Sequence, residues 1–346
     1  MTATSTATRR RRTLRFPTEL AERYALVVLL LLLIAFFSLY GPTGETFATT
    51  ANLTSVLGNQ SVVAVAALAA VVPLIGGQFD VSIGAVLGAS AVVTASALSN
   101  GWPLLAAILA AVGVSALVGL VNGVLVAYVG VNSFITTLAA GTLLGGLVAL
   151  YTGNETVVEG IPTSITDFGS SDALGLPLVV WAVLAIAAVL AFLIGWTVRG
   201  RELTSVGASQ AAARLVGIRV RAIVASSFVV SSTLAGLAGV LLLARTGTGN
   251  PQIGEGYTLT ALSAAFLGAT ALRPGQFNVP GTLVGVLFVA VSVNGLTLAG
   301  ASDWVDPVFN GAALMLAVAL STLIGRLRTR ESAAPHEAPE KENVHE

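Results

Sequence analysis

The chain has 346 residues, of which 55% are hydrophobic and only 10% charged, and its formal net charge is zero. An ordinary soluble domain is about 25% charged, so this composition excludes a typical soluble protein and points to a chain that lies mostly in lipid. Cysteine is absent and the two histidines, His336 and His345, stand in the polar C-terminal segment. Thiol chemistry and histidine-ligated metal sites within the apolar part are thereby excluded, and no metal or cofactor is expected.

In chain order, a basic segment over 1–23, with Arg9, Arg10, Arg11 and Arg12 adjacent, precedes the first apolar run, YALVVLLLLLIAFFSLY from Tyr24 to Tyr40. This run is longer than the apolar core of a usual signal peptide and no clear small-residue cleavage site follows, so a retained helix is expected. Further spans are predicted near 61–75, 81–99, 103–129, 131–151, 177–198, 223–244, 258–272, 281–299 and 308–325. Each is close to the length that crosses a hydrocarbon core of about 30 Å. The expected fold is therefore all-α, a polytopic bundle of about ten spans over 24–325, followed by a disordered tail over 326–346 rich in Pro and Glu.

Alternation from an N-terminus inside the cell places both termini, the segment 199–222 and the segment 273–280 in the cytoplasm. Of the 17 Lys and Arg residues, only Arg245 then falls outside. One missed helix would invert everything downstream, so this asymmetry supports the count. The polar interval 152–176 is placed outside. GAVLG (Gly84–Gly88), GLVNG (Gly119–Gly123), GTLLG (Gly141–Gly145) and GTLVG (Gly281–Gly285) set glycine pairs on single helix faces, where backbones are expected to approach closely.

The chain contains no GxxxxGK[ST] loop, no histidine-based triad candidate and no cluster of carboxylates for metal-assisted hydrolysis. No catalytic residues are assigned and an enzyme is not expected. Buried Lys, Arg, Glu or His relays of the kind ion-coupled carriers use are also missing from the spans. The internal segment RGRELTSVGASQAAARLVGIRVR, from Arg199 to Arg221, is much longer than a connector needs to be. Within it SQAAARL suits a short helix, with Ser209 as N-cap and Gly217 to end it. Read from the residues alone, this is a helix offered to a partner's groove or a solvated connector.

This segment resembles the coupling loop of permease subunits in ABC importers of the ribose, xylose and galactose type. Gly200, Arg201, Gly207, Ala212, Ala213, Arg214, Leu215, Gly217, Ile218 and Val220 match the family pattern, while Ser209, Gln210 and Ala211 stand where the family usually has Asn-Pro-Glu. GGQFDVSIG (76–84), LVNGVLVAYVGVNSFITTLAAG (120–141), SSTLAGLAGVLLLAR (231–245) and NGLTLAG (294–300) resemble further family motifs in the same order. The resemblance implies a coupling interface that includes Gly200, Arg201, Gly207, Ala208, Ala212, Ala213, Arg214 and Gly217. It also implies a second permease subunit, identical or related, cytoplasmic ATPase subunits and an extracytoplasmic binding protein that delivers a small polar solute. No nucleic-acid partner is expected. Permeases for branched-chain amino acids or nucleosides would share these features; an ion-coupled carrier is the rival of another class.

Asp80 stands just before a predicted span, where its carboxylate can cap the helix or take part in the pathway or its inner gate. GQFNV at Gly275–Val279 repeats the GQFDV pattern of Gly77–Val81 ahead of another apolar helix. Asn59, Gln60, Asn122, Asn132, Ser133, Thr137 and Asn294 are neutral hydrogen-bonding groups in or beside spans, suited to a polar neutral solute or to bonds between helices. The ten-span topology predicts that a reporter fused after Thr197 or Gly325 is cytoplasmic and one at Ser164 external. An external signal after Gly325 would contradict it.

Overall fold

A computed structural model describes the backbone of residues 16–332 and the side chains of 23–319. Arg9 to Arg12 and most of the expected disordered tail lie outside the described residues. The chain folds into helices α1 (Phe16–Leu39), α2 (Gly41–Phe47), α3 (Thr50–Ile75), α4 (Ile83–Ser99), α5 (Leu104–Val124), α6 (Ser133–Thr152), α7 (Thr163–Ser170), α8 (Leu178–Trp196), α9 (Val198–Ala208), α10 (Gln210–Leu215), α11 (Val220–Thr246), α12 (Glu255–Gly268), α13 (Val279–Leu298) and α14 (Val305–Ser332). A π-helical turn, Leu125–Val129, continues α5, two strands of two residues each, Asp172–Ala173 and Leu176–Pro177, form a small hairpin, and Val157 pairs with Gly249 in an isolated antiparallel bridge.

Every predicted span lies on its own helix, but the helices are unequal. Among the described residues six of them, α3, α5 with its π turn, α6, α8, α11 and α13, are long and apolar enough to cross a membrane, and counting α1 with α2, bent by 102°, as one span makes seven. α4 has 17 residues and α12 only 14, while α14 is apolar over Val305–Ala319, the part with described side chains. The chain is thus a multi-pass membrane protein.

α3 and α11 form the centre. Their side chains from Val62 to Leu74 and from Val220 to Ala244 are largely buried, and α11 packs against α3, α4 and α5. α5, α6 and α8 are peripheral, with Leu109, Leu147 and Phe192 among their outward apolar residues. In lipid, apolar side chains gain little from leaving their surroundings, so close backbone packing has to hold such helices together. Three of the four glycine pairs do this. A Cβ at Gly84 would collide with the Gly254 carbonyl, one at Gly119 would lie 2.5 Å from the Phe228 carbonyl oxygen, and one at Gly285 would collide with the Ala264 carbonyl. GTLLG differs from expectation: Gly141 has only ordinary contacts and Gly145 faces open space, because α6 lies at the edge of the bundle.

The repeated GQF turns are built alike. Gly77 and Gly275 have φ of +71° and +81°, a left-handed conformation that favours glycine, and let the chain reverse before α4 and α13. Phe79 stacks on Phe266 at 6.1 Å between centroids and Phe277 meets the same ring edge-on at 5.1 Å, so one residue of α12 joins both turns. Gly84→Ala is expected to lower stability by about 1–3 kcal/mol through overpacking, whereas Gly145→Ala should change it by less than about 0.5 kcal/mol. Thermal unfolding in detergent measures both, and equal effects would contradict this packing.

Candidate functional site

The expected polar residues separate into two groups at opposite ends of α3. At its end, the linker Gly76–Ser82 is non-helical backbone with Gly76, Asp80 and Ser82 buried, and N–H groups there and in the first turn of α4 need partners. Phe79 donates to the Ser133 hydroxyl at 3.2 Å, Val81 to Thr137 at 3.0 Å and Gly84 to Thr258 at 3.0 Å. Asp80 is only 1% exposed. Its carboxylate accepts from the Ser82 amide at 3.0 Å, the Ser82 hydroxyl at 2.6 Å and the Ser231 hydroxyl at 2.8 Å. Asn122 donates to the Ser82 hydroxyl at 3.1 Å, while its own carbonyl is buried without a partner.

Asp80, Asn122, Ser133 and Thr137 are thus brought together, with Asn132 adjacent as the N-cap of α6, accepting from Ile135 at 3.3 Å. The capping geometry differs from expectation in one respect: Ser82 occupies the N-cap position of α4, and Asp80, two residues earlier, ties that turn to α11. In the second GQF turn, Asn278 is itself the cap, accepting from Gly281 at 2.7 Å.

The second group lies towards the start of α3. Asn59 accepts from Arg245 at 2.8 Å, and Arg245 also donates to the Gly169 carbonyl of α7 at 2.7 Å. Asn294 and Asn52 exchange amide hydrogen bonds at 3.0 and 3.1 Å. The Gln60 carbonyl is buried without a partner. These bonds join helices, the role left open beside solute contact.

The 199–222 segment is a pair of helices. Ser209 caps α10 by accepting from Ala212 at 3.2 Å, and the helix ends before Gly217, whose φ is +82°. α9 was not expected; its signal is Thr197, which accepts from Gly200 at 3.2 Å as N-cap, followed by buried Leu203 and Val206 at helical spacing. A Cβ at Gly207 would collide with the Ile75 carbonyl and one at Gly200 with the Ile194 carbonyl, which seats α9 on the ends of α3 and α8. Arg201 donates to the Trp196 carbonyl at 3.4 Å, and Ala208 closes α9. Along α10 only Ala213 is buried; Ala212 and Arg214 are exposed, and Leu215 and Val216 are 89% and 75% exposed. A short helix with an uncovered apolar end therefore projects from the bundle.

Residues 52–318 match the family model described as branched-chain amino acid transport system / permease component. The chain belongs to this permease family. Similar relatives include the ribose import permease protein of Escherichia coli (strain K12), 34% identical over 303 residues that cover 86% of this chain and 93% of the relative. The D-allose transport system permease protein of the same organism is 30% identical over 88% of this chain and 93% of the relative. The L-arabinose ABC transporter permease protein of Azospirillum brasilense is 31% identical over 87% of each chain. No solved structure matches the chain. In this permease the site contains three hydroxyl residues that sequence reasoning missed, Ser82, Ser231 and Thr258. Ser231 carries a weak signal as part of a serine pair inside an apolar run; Thr258 carries none, since only the fold brings it to Gly84.

Asp80→Ala removes an acceptor from three donors, and each buried donor left unpaired costs about 1–3 kcal/mol. Asp80→Asn keeps an oxygen for Ser82 and can donate to Ser231. The Ala variant is therefore expected to unfold well below wild type and the Asn variant close to it, as read from thermal unfolding of purified protein. The reverse order would refute the bracing role.

Proposed function

We propose that this permease is the membrane-spanning subunit of an ATP-driven, binding-protein-dependent importer of a monosaccharide. The observation that carries the reading is that relatives named for ribose, D-allose and L-arabinose transport each align with most of this chain. The chain would cross a prokaryotic inner membrane ten times with both termini inside, pair with a second permease subunit, bind ATPase subunits at α9 and α10, and receive solute from an external binding protein. The charge asymmetry supports that orientation.

In this reading, ATP binding draws the ATPase subunits together and their grooves move α10. α9, seated on the ends of α3 and α8 where Gly207 and Gly200 meet main chain, passes the displacement to those two helices. The linker around Asp80 lies at that end of α3, where movement would open or close the inner side of the pathway. Asn59, Gln60 and Asn294 lie at the other end, where a neutral polar solute would enter.

Because the family model is described for branched-chain amino acids, that solute class is the second reading. Binding of ribose or leucine by the cognate external protein separates the two. Dependence of uptake on ATP, with no loss when an ionophore acts at constant ATP, separates either from an ion-coupled carrier.

Ala212 is exposed, so Ala212→Trp can be accommodated by the isolated chain but not by a groove fitted to α10. Overpacking of about 1–3 kcal/mol corresponds to roughly 5- to 150-fold weaker ATPase association. Co-purification of the ATPase and solute-stimulated hydrolysis in vesicles should both fall while membrane insertion is unchanged. Wild-type values for both would exclude the coupling role of α10.

A further inference from the structure

The end of the bundle that carries α9 and α10 holds two cavities with opposite chemistry. One is an open cleft of about 510 Å³ lined by Tyr128, Arg214, Arg219, Val220, Arg221 and Ala222. Its three arginines are exposed, and none forms an ion pair: among the described residues the one ion pair joins Arg199 to Glu202 at 3.4 Å. The other is a groove of about 650 Å³ between α3, α8, α9 and α11, lined mainly by apolar side chains such as Val72, Leu193, Leu203 and Val230, with Arg199 also in its wall. Ala222 lines both. Beside them the indole of Trp196 is 78% exposed, as suits a residue at a membrane boundary.

We propose that the cleft and the groove together bind an anionic phospholipid, with its phosphate-bearing headgroup among Arg214, Arg219 and Arg221 and an acyl chain in the groove. The inference requires only that the chain is a membrane protein and is independent of the transported solute. Guanidinium groups form paired, charge-assisted bonds to phosphate oxygens, and a basic pocket between membrane helices is suited to an anionic headgroup. A neutral sugar would leave three cations uncompensated. An acidic protein surface would pair with them but leave the groove empty, whereas one amphiphile meets both demands. Arg214, expected in the coupling interface, would then face lipid, which leaves the uncovered apolar end of α10, Leu215 and Val216, for a protein partner.

The test is native mass spectrometry of the full-length detergent-solubilised chain with added phosphatidylglycerol, phosphatidylcholine of the same acyl chains, or glycerol phosphate. Wild type should retain phosphatidylglycerol about tenfold better than phosphatidylcholine, a difference on the scale of one charge-assisted hydrogen bond. Arg219→Gln with Arg221→Gln should abolish the preference. Val230→Trp, a change at an exposed position of the groove wall, should reduce retention of both lipids. Unchanged gel-filtration profiles establish that the variants are folded. Equal retention of the two lipids by wild type would overturn the proposal, as would wild-type retention in the double arginine variant. Binding of glycerol phosphate as tight as that of the lipid, unaffected by Val230→Trp, would identify a free phosphate site instead. Loss of ATPase co-purification in the arginine variant, with lipid retention intact, would assign the cleft to the ATPase.

Discussion

Backbone amides that leave a helix inside a membrane protein have no water to turn to, and the break between α3 and α4 is arranged around that constraint. α3 stops at Ile75 and α4 begins at Ile83, so a short non-helical stretch with Asp80 buried within it lies between them. The amides of Phe79, Val81 and Ser82 are taken up by Ser133 and Thr137 of α6 and by Asp80 itself, Thr258 of α12 takes the Gly84 amide in the first turn of α4, and the Asp80 carboxylate reaches Ser231 of α11. One unwound turn thereby fixes the relative positions of four helices. The carboxylate suits this task because it accepts several bonds at once and each is stronger than one to a neutral oxygen.

The two GQF turns show how little separates a local role from a tertiary one. Both have a left-handed glycine and both bring a phenylalanine to Phe266. Asn278 then spends its oxygen on the helix that follows it, whereas Asp80, in the matching position, spends one of its two oxygens on a different helix. The second oxygen of the carboxylate is what makes the longer connection possible.

Much of this was legible in the sequence. The ten apolar segments, the cap at Ser209 and the end of α10 before Gly217 follow from periodicity and capping chemistry. What could not be read depends on which helices become neighbours. GTLLG and GAVLG have the same spacing, yet only GAVLG meets another backbone, because α6 is peripheral and α4 is not. Thr258 and Ser231 lie far along the chain from their partners Gly84 and Asp80; no local pattern marks Thr258, and Ser231 carries only the weak signal of a serine pair. α9 went unseen because its polar composition hides a buried face of only a few residues, Gly200, Leu203 and Val206.

At the crossing of α4 with the start of α12, the obstruction is mutual. A Cβ at Gly84 meets the Gly254 carbonyl, and a Cβ at Gly254 meets the Gly84 carbonyl. Neither position can change first, and no change at one makes room for a change at the other, since main chain obstructs both sides, with the Thr258 hydroxyl a further obstacle at Gly84. The ordinary evolutionary route of paired compensation is closed here. Room for substitution lies instead on the outward faces of α5, α6 and α8, where lipid accepts almost any apolar shape.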